Sequence, residues 1–407
     1  MNYSKDLLSK EIVIGVIALS LSLWAFIPLA PYSHMLNVIA LLLIVGGLLI
    51  YTLKKRKVII DMQFKDIIIA IILLRFISSI PCYLYHNQSI IYTLAIERTA
   101  IFWLFYFFLH KSRINPSSLM KIVIIVAVIW AGITILQQLS YPVYAFATRE
   151  GSSGEEVPYR AGVYRFLVRG LHYGVLAGLM FLTYFFITRK YKYLYGYLFF
   201  LAGIYFHSAR QFIAGYLLAS IPVIFFLKGR NRMIAIIISF FVAFLFITNF
   251  ETLFAGYIEQ TKDDFNEHNI RLVSYYFYGL EYFPHWLCNL FGNGMAYSGS
   301  QYGYEFFDYL NEDLGLFRTD VGIIGTYNQY GLIYCLLVVY SFVKIFFMKI
   351  PLNRTYLKLF SIYILALIVL SEYSYNNYVI PFFCIYYYFI DCYVDEQKEI
   401  SNNNSSI

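Results

Sequence analysis

The sequence is poor in charge. Asp, Glu, Lys and Arg together make up 14% of its 407 residues, where a water-soluble domain carries about 25%, so an ordinary solvated globular fold is excluded. It is also poor in the clusters that mark common chemistries. The five cysteines, Cys82, Cys288, Cys335, Cys384 and Cys392, include no Cys-x-x-Cys pair, and the seven histidines fall at no ligand spacing, so no metal site is expected. P-loop, dinucleotide glycine motif, His-Glu-x-x-His and nucleophile elbow are all missing, which sets aside the reactions those motifs serve. Short segments alternating at period two are missing as well, and with them the case for an outer-membrane barrel. The first apolar stretch is too long for a signal-peptide core and no small-x-small site precedes Pro28, so it is expected to be retained.

What is present is apolar length. Hydrophobic residues make up 60% of the chain, aromatics 20%, and the mean hydropathy is +0.62. About 20 apolar residues cross roughly 30 Å of hydrocarbon. Such windows recur at 11–30, 34–53, 64–84, 89–109, 119–140, 170–187, 192–208, 210–227, 233–250, 321–346, 357–371 and 377–391. The expected fold class is an all-α polytopic membrane protein with these twelve transmembrane helices.

The net charge of +7 does not point to nucleic acid, because in a membrane protein the placement of cations matters more than their sum. Most of the 31 Lys and Arg residues fall on one side of the predicted membrane. They include the run Lys54-Lys55-Arg56-Lys57, Lys111 with Arg113, Arg189 with Lys190 and Lys192, Lys228 with Arg230 and Arg232, and the group from Lys344 to Lys358. The positive-inside rule then places both termini in the cytoplasm. Residues 1–250 form nine helices with an external loop at about 141–169, residues 251–320 a large extracytoplasmic cap, residues 321–391 three more helices and residues 392–407 a cytoplasmic tail, with Ser401–Ile407 expected to be disordered.

Loops longer than about 15 residues on a compact scaffold are usually functional or disordered, and the aromatic content of the cap argues against disorder. The stretch Asn269–Phe283 predicts a helix whose Arg271, Tyr275 and Tyr278 share one face. Tyrosines offer flat faces and polar tips to sugars, although the same residue also fills interfacial belts. Cys82 and Cys288 both fall on the outer side, where a disulfide is conceivable beside the alternative of two buried thiols. Within the membrane, Arg75 and Glu97 lie at equal sequence distance from the turn at His86. An antiparallel hairpin brings them to one depth, where a lone arginine costs roughly 3 kcal/mol and pairing is expected. At the outer surface stand Arg160, Arg165, Arg169, Arg210, Arg271 and Arg318. Arginine suits bidentate phosphate contacts, so the set indicates a phosphate-bearing ligand on that face.

His207-Ser208-Ala209-Arg210-Gln211 resembles the Ser-Arg junction of the O-antigen polymerase and ligase superfamily, the Wzy-type integral membrane glycosyltransferases. Arg271 followed by Gly292-Asn293-Gly294 is similar to that family's loop arginine and Gly-x-Gly turn, and Asp320-Val321-Gly322 to its Asp-x-Gly segment after the large loop. Arg169 with His172 falls where relatives carry a short polar patch. The resemblance covers the fifth to tenth predicted spans, and the first four by topology alone.

It implies a GT-C-like enzyme without cofactor, at the bacterial plasma (inner) membrane, that polymerises undecaprenyl-diphosphate-linked oligosaccharides on the outer face. It leaves room for a chain-length regulator as partner. Under that resemblance Arg210, Arg271, Arg169 and Arg165 hold the diphosphate, and Tyr275 and Tyr278 meet the sugars. Asp320 or His172 is the general base, ahead of Glu281 and Asp313; Asp320 as a plain helix-end carboxylate is the alternative. Where the ligase branch has a histidine after the loop, this chain has Tyr327-Asn328, which favours polymerase over ligase. No acidic residue occupies the first outer turn, Pro28 to His34, where GT-C enzymes using monophosphate donors carry one. A transporter of lipid-linked oligosaccharide is the remaining alternative, although residues 1–190 and 191–391 show no internal repeat.

Overall fold

A computed structural model describes residues 7–25, 31–54, 60–143, 146, 159–160, 163–164, 166–207, 210–223, 233, 236, 270–369 and 376–405. Its elements are helices, apart from one two-stranded antiparallel pair, Tyr159–Arg160 with Val163–Tyr164. The helices are α1 (Leu7–Ser20), α2 (Ser33–Leu53), α3 (Lys65–His86), α4 (Ile90–Ser112), α5 (Pro116–Ser140) and α6 (Leu171–Thr188). They continue with α7 (Tyr191–Phe206), α8 (Arg210–Ser220), α9 (Ile270–Tyr276), α10 (Trp286–Phe291), α11 (Gly322–Phe347), α12 (Tyr356–Leu367) and α13 (Ile380–Ser405).

Among the described residues six stretches are long and apolar enough to cross a membrane: α2 to α6, and Arg318–Phe347, which contains α11. The chain is thus a polytopic helical membrane protein by length and composition, and the count differs from the twelve windows of the sequence. Part of the difference is interruption. The first window breaks after α1, where Ser22, Leu23 and Trp24 all take positive φ; α7, α8 and α12 are shorter than a span; and the window at 233–250 lies almost wholly outside the described residues. The tail also differs from expectation, since α13 runs on to Ser405.

The bundle is built around α6, 72% of whose apolar window is buried, against 22% for the peripheral α2. Small residues permit that centrality. A Cβ on Gly174 would stand 2.2 Å from the Trp130 ring of α5, and one on Gly178 would stand 2.1 Å from the Tyr216 hydroxyl of α8.

At one end of the bundle sits the cap. It has a small core of its own, with Tyr278, Tyr302, Phe306, Leu310 and Leu316 packed together, and Cys82 of α3 belongs to the same cluster. The cap therefore shares its interior with the bundle. Helix α9 runs on into a π-helical turn, Phe277–Glu281, and a second π-helical segment spans Tyr304–Asp313.

The join between cap and bundle is a break in α11. Gly331 takes φ 83° and ψ 171° in the middle of the helix, a conformation open to glycine and costly for other residues. The break frees carbonyls that hydrocarbon cannot hydrate. The turn after α10 supplies their donors: the Asn293 N–H donates to the Asn328 carbonyl (2.8 Å) and the Gly294 N–H to the Gln329 carbonyl (2.9 Å). Backbones touch here, so that a Cβ on Gly331 would lie 2.1 Å from the Leu290 oxygen and one on Gly292 2.1 Å from the Gln329 oxygen.

Gly331→Ala is expected to lower the thermal midpoint of the purified protein in detergent, by strain of about 2 kcal/mol plus the backbone clash. Gly46→Ala in α2, where a Cβ meets nothing within 4 Å, is expected to leave it unchanged.

Candidate functional site

The loop between α3 and α4 forms the floor on which the cap rests. Gln88 uses both ends of its amide: Nε2 donates to Thr93 Oγ1 (2.7 Å) and the Met295 carbonyl (2.8 Å), while Oε1 accepts from Tyr297 N (2.8 Å) and Ser300 Oγ (2.7 Å). His86 Nε2 lies 2.9 Å from Asn293 Oδ1, and its ring stacks on Tyr302 at 4.2 Å. Asn293 and Asn328 both donate to the Tyr282 carbonyl, at 2.8 and 3.1 Å. Three buried amides, Gln88, Asn293 and Asn328, thus hold loop, cap and broken helix together.

Beneath that floor is the ion pair expected from the hairpin. Arg75 Nε donates to Glu97 Oε2 at 2.7 Å with both residues fully buried, and Arg75 Nη2 donates to Thr99 Oγ1 at 2.7 Å. The helices are irregular at this depth. The segment Lys65–Ile77 of α3 gives way to Ser79–His86, with Pro81 just beyond, and α4 passes into a 3-10 stretch at Arg98–Trp103. Tyr330, at the α11 break, completes the cluster, with its ring 5.1 Å from the Arg75 guanidinium and its hydroxyl 3.4 Å from Glu97 Oε2.

On the rim of the cap, α9 packs beside the segment Arg318–Val321 and brings Arg271, Tyr275 and Asp320 together. Arg271 and Asp320 are exposed and Tyr275 is half-buried. The Tyr275 hydroxyl donates to the Val369 carbonyl at 2.5 Å. Burial raises the Tyr275 phenol above its ordinary value, Arg271 opposes the shift and Asp320 adds to it, which sets both charged groups within electrostatic reach of that one ring. This trio offers a guanidinium, a phenol face and an unburied carboxylate at a single edge.

The remaining candidates are placed as follows. Tyr278 is fully buried, with its hydroxyl donating to the Leu316 carbonyl at 2.7 Å, so it is a core residue of the cap. The expected shared face with Arg271 is lost because α9 turns into a π-helical register at Phe277. Burial pushes its phenol up to about 12. His172 is the second residue of α6, and Phe360, Tyr363, Phe382 and Phe383 place their rings 5.7 to 6.3 Å from its own. Arg169, half-buried, donates to Ser22 Oγ at 2.8 Å and lies 5.1 Å over the Tyr378 ring, and burial lowers its pKa. Arg210 opens α8, but its side chain and all of Arg165 lie outside the described residues. Glu281 and Asp313 are exposed at the ends of the two π-helical segments. Cys82 and Cys288 are free, buried thiols, the second of the two alternatives open to them. Among the described residues no three His, Cys, Asp or Glu side chains gather as a metal site would require.

Sequence reasoning missed a buried acid at the opposite end of the bundle. Asp391 of α13 accepts from the Tyr106 hydroxyl (2.5 Å) and the Gln63 N–H (3.2 Å), and lies 3.1 Å from His110 Nε2. The signal available was an acid closing one apolar window, Asp391 at the end of 377–391, and a histidine directly after another, His110 after 89–109. Comparison with protein-family models, with curated proteins and with solved structures returns no match.

Breaking a buried pair by removing one partner costs about 3–5 kcal/mol, whereas replacing both by apolar groups costs far less. Glu97→Gln is therefore expected to lower the thermal midpoint strongly, and the double variant Arg75→Met with Glu97→Leu to recover much of the loss. A double variant no more stable than the sum of the two single changes would show that the charges act independently.

Proposed function

We propose that the chain is a membrane glycosyltransferase that joins polyprenyl-diphosphate-linked oligosaccharide repeat units into a surface polysaccharide, an O-antigen or a capsule. The observation that carries the reading is the convergence of Arg271, Tyr275 and Asp320 on one exposed edge of a cap that covers one end of the bundle. The end away from the cap collects Lys54, Lys65, Lys111, Arg113, Arg189, Lys344 and Arg354, a distribution that supports a cytoplasmic placement of that end and an outward-facing cap.

In this reading Arg271, with Arg210, holds the donor diphosphate and stabilises the charge that develops on it as the glycosidic bond breaks. Asp320 takes the proton of the acceptor hydroxyl as its oxygen attacks the anomeric carbon, and the polyprenyl diphosphate departs with the bonding electron pair. The exposure of Asp320 leaves that carboxylate accessible to an acceptor. The His172 ring is enclosed by four aromatic rings, whereas Asp320 is exposed, so His172 is the weaker base of the two. Tyr275 offers a ring edge to the sugars; Tyr278 acts through the cap core.

A transporter of lipid-linked oligosaccharide is the second reading. The broken helix α11 and the buried Arg75–Glu97 pair favour it, because discontinuous helices and midplane charges are common features of such proteins.

Purified protein incubated in detergent with a lipid-diphosphate-linked repeat unit from its own host is expected to give a ladder of products on a gel. Intact substrate would favour the transporter. Arg271→Ala and Arg210→Ala are each expected to abolish polymer at normal membrane abundance, and chain growth in both would overturn the diphosphate clamp. Asp320→Asn is expected to lower turnover by about 100-fold or more while donor binding holds.

A further inference from the structure

Arg318 is 6% exposed and has no ion pair among the described residues. Its guanidinium lies 4.3 Å over the Phe306 ring beside the Tyr302 hydroxyl, and its Nη1 has no hydrogen-bond partner. Arg75, 2% exposed, also carries a buried Nη1 without a partner, although its other nitrogens are bonded to Glu97 and Thr99. The two guanidinium groups share neighbours: Glu97 and Tyr330 lie within electrostatic reach of both. Glu305, one residue before Phe306, is exposed and accepts from the Tyr282 hydroxyl at 3.1 Å.

Among the described residues two buried guanidinium groups, Arg75 and Arg318, thus stand against one buried carboxylate, Glu97, at this end of the molecule. An unbalanced buried cation costs several kcal/mol unless an anion arrives to meet it. The surroundings of Arg318 are irregular in a telling way. Phe306 stands on one π-helical segment, and Tyr278 on the other donates to the carbonyl of Leu316, two residues before Arg318. Such turns are rare and are found frequently at functional sites.

We propose that Arg318 forms a buried oxyanion site beneath the cap that takes a phosphoryl group, with the Tyr302 hydroxyl beside it as a further donor. A guanidinium fork with an unused N–H group beside a phenol hydroxyl matches the several oxygens of a phosphate or diphosphate. The site is separate from the rim trio of Arg271, Tyr275 and Asp320. It rests on the polymerase reading only for the expectation that the phosphoryl group belongs to a lipid-linked diphosphate.

The test is thermal unfolding of the full-length protein in detergent, with inorganic pyrophosphate in one arm and a short-chain prenyl diphosphate in the other. Either ligand is expected to raise the midpoint of the wild type by about 1–3 °C. Arg318→Gln is expected to lose that shift while its ligand-free midpoint stays equal or rises, because an unpaired buried charge has been removed. Arg318→Lys is expected to weaken binding about 10-fold, since a point charge replaces a fork. A shift with the prenyl compound alone supports the site and assigns its source to the lipid. Absence of a shift in both arms, or an equal shift in Arg318→Gln, overturns the proposal. Arg271→Ala serves as the separating control. A retained shift in that variant together with lost polymer keeps both readings, and a retained shift in a wild type that makes no ladder keeps this site while the polymerase reading fails.

Discussion

A helix that breaks inside an apolar bundle must find donors for the carbonyls it frees, and everything at the cap end of this protein follows from how α11 does so. The Asn328 and Gln329 carbonyls accept from Asn293 and Gly294, so the turn after α10 is fixed in position by the backbone of a transmembrane stretch. Gly292, Gly294 and Gly331 allow the close approach, all with positive φ. Once that turn is fixed, the amide side chains of Asn293 and Asn328 bind the Tyr282 carbonyl, and Gln88 binds the segment Met295–Ser300. The position of the cap is thus a consequence of backbone satisfaction more than of apolar burial.

The same break places charge. Tyr330, adjacent to Gly331, faces the Arg75–Glu97 pair, and the 3-10 stretch after Glu97 brings Thr99 to the second guanidinium nitrogen. In a low-dielectric interior each such contact is strong because its loss would leave a group unsolvated. At the opposite end Asp391, His110 and Tyr106 form a second buried polar node, reinforced by Gln63, whose carbonyl accepts from Lys344 at 2.6 Å. The bundle is therefore pinned by polar contacts under the cap, at mid-depth and at the opposite end, within otherwise apolar and aromatic packing.

Much of this was legible in the sequence and some was not, for definite reasons. Equal spacing about His86 sufficed for the Arg75–Glu97 pair, because an antiparallel hairpin fixes depth by residue count alone. The Gly-Asn-Gly turn could be read as a break, but not as a donor to a distant helix, since nothing local marks the receiving carbonyls. Arg271, Tyr275 and Asp320 could be nominated one by one, and their meeting depends on the packing of α9 against the segment before α11. Tyr278 was misplaced by a helical register that the π turn at Phe277 interrupts. Hydropathy likewise does not see the positive φ of Ser22, Leu23 and Trp24 or the shortness of α7, α8 and α12 among the described residues. Arg318 looked like one of several outer arginines, and only side-chain packing distinguishes a buried cation from a solvated one.

A ligand with a lipid tail and a charged head has its apolar part in hydrocarbon while its charge seeks the boundary with water. Arg318 stands just before the start of α11, whereas Arg75 lies about 16 Å below the loop at His86, counted along α3 at 1.5 Å per residue. Cations at these two levels, bridged electrostatically through Glu97 and Tyr330, suit an anion that is drawn below the cap but kept from crossing the bundle. The Glu97 carboxylate sets the lower limit, since it neutralises Arg75 and repels an approaching oxyanion at the same depth. The broken helix, whose Tyr330 faces the Arg75–Glu97 pair, thus sets where charge can sit beneath the cap.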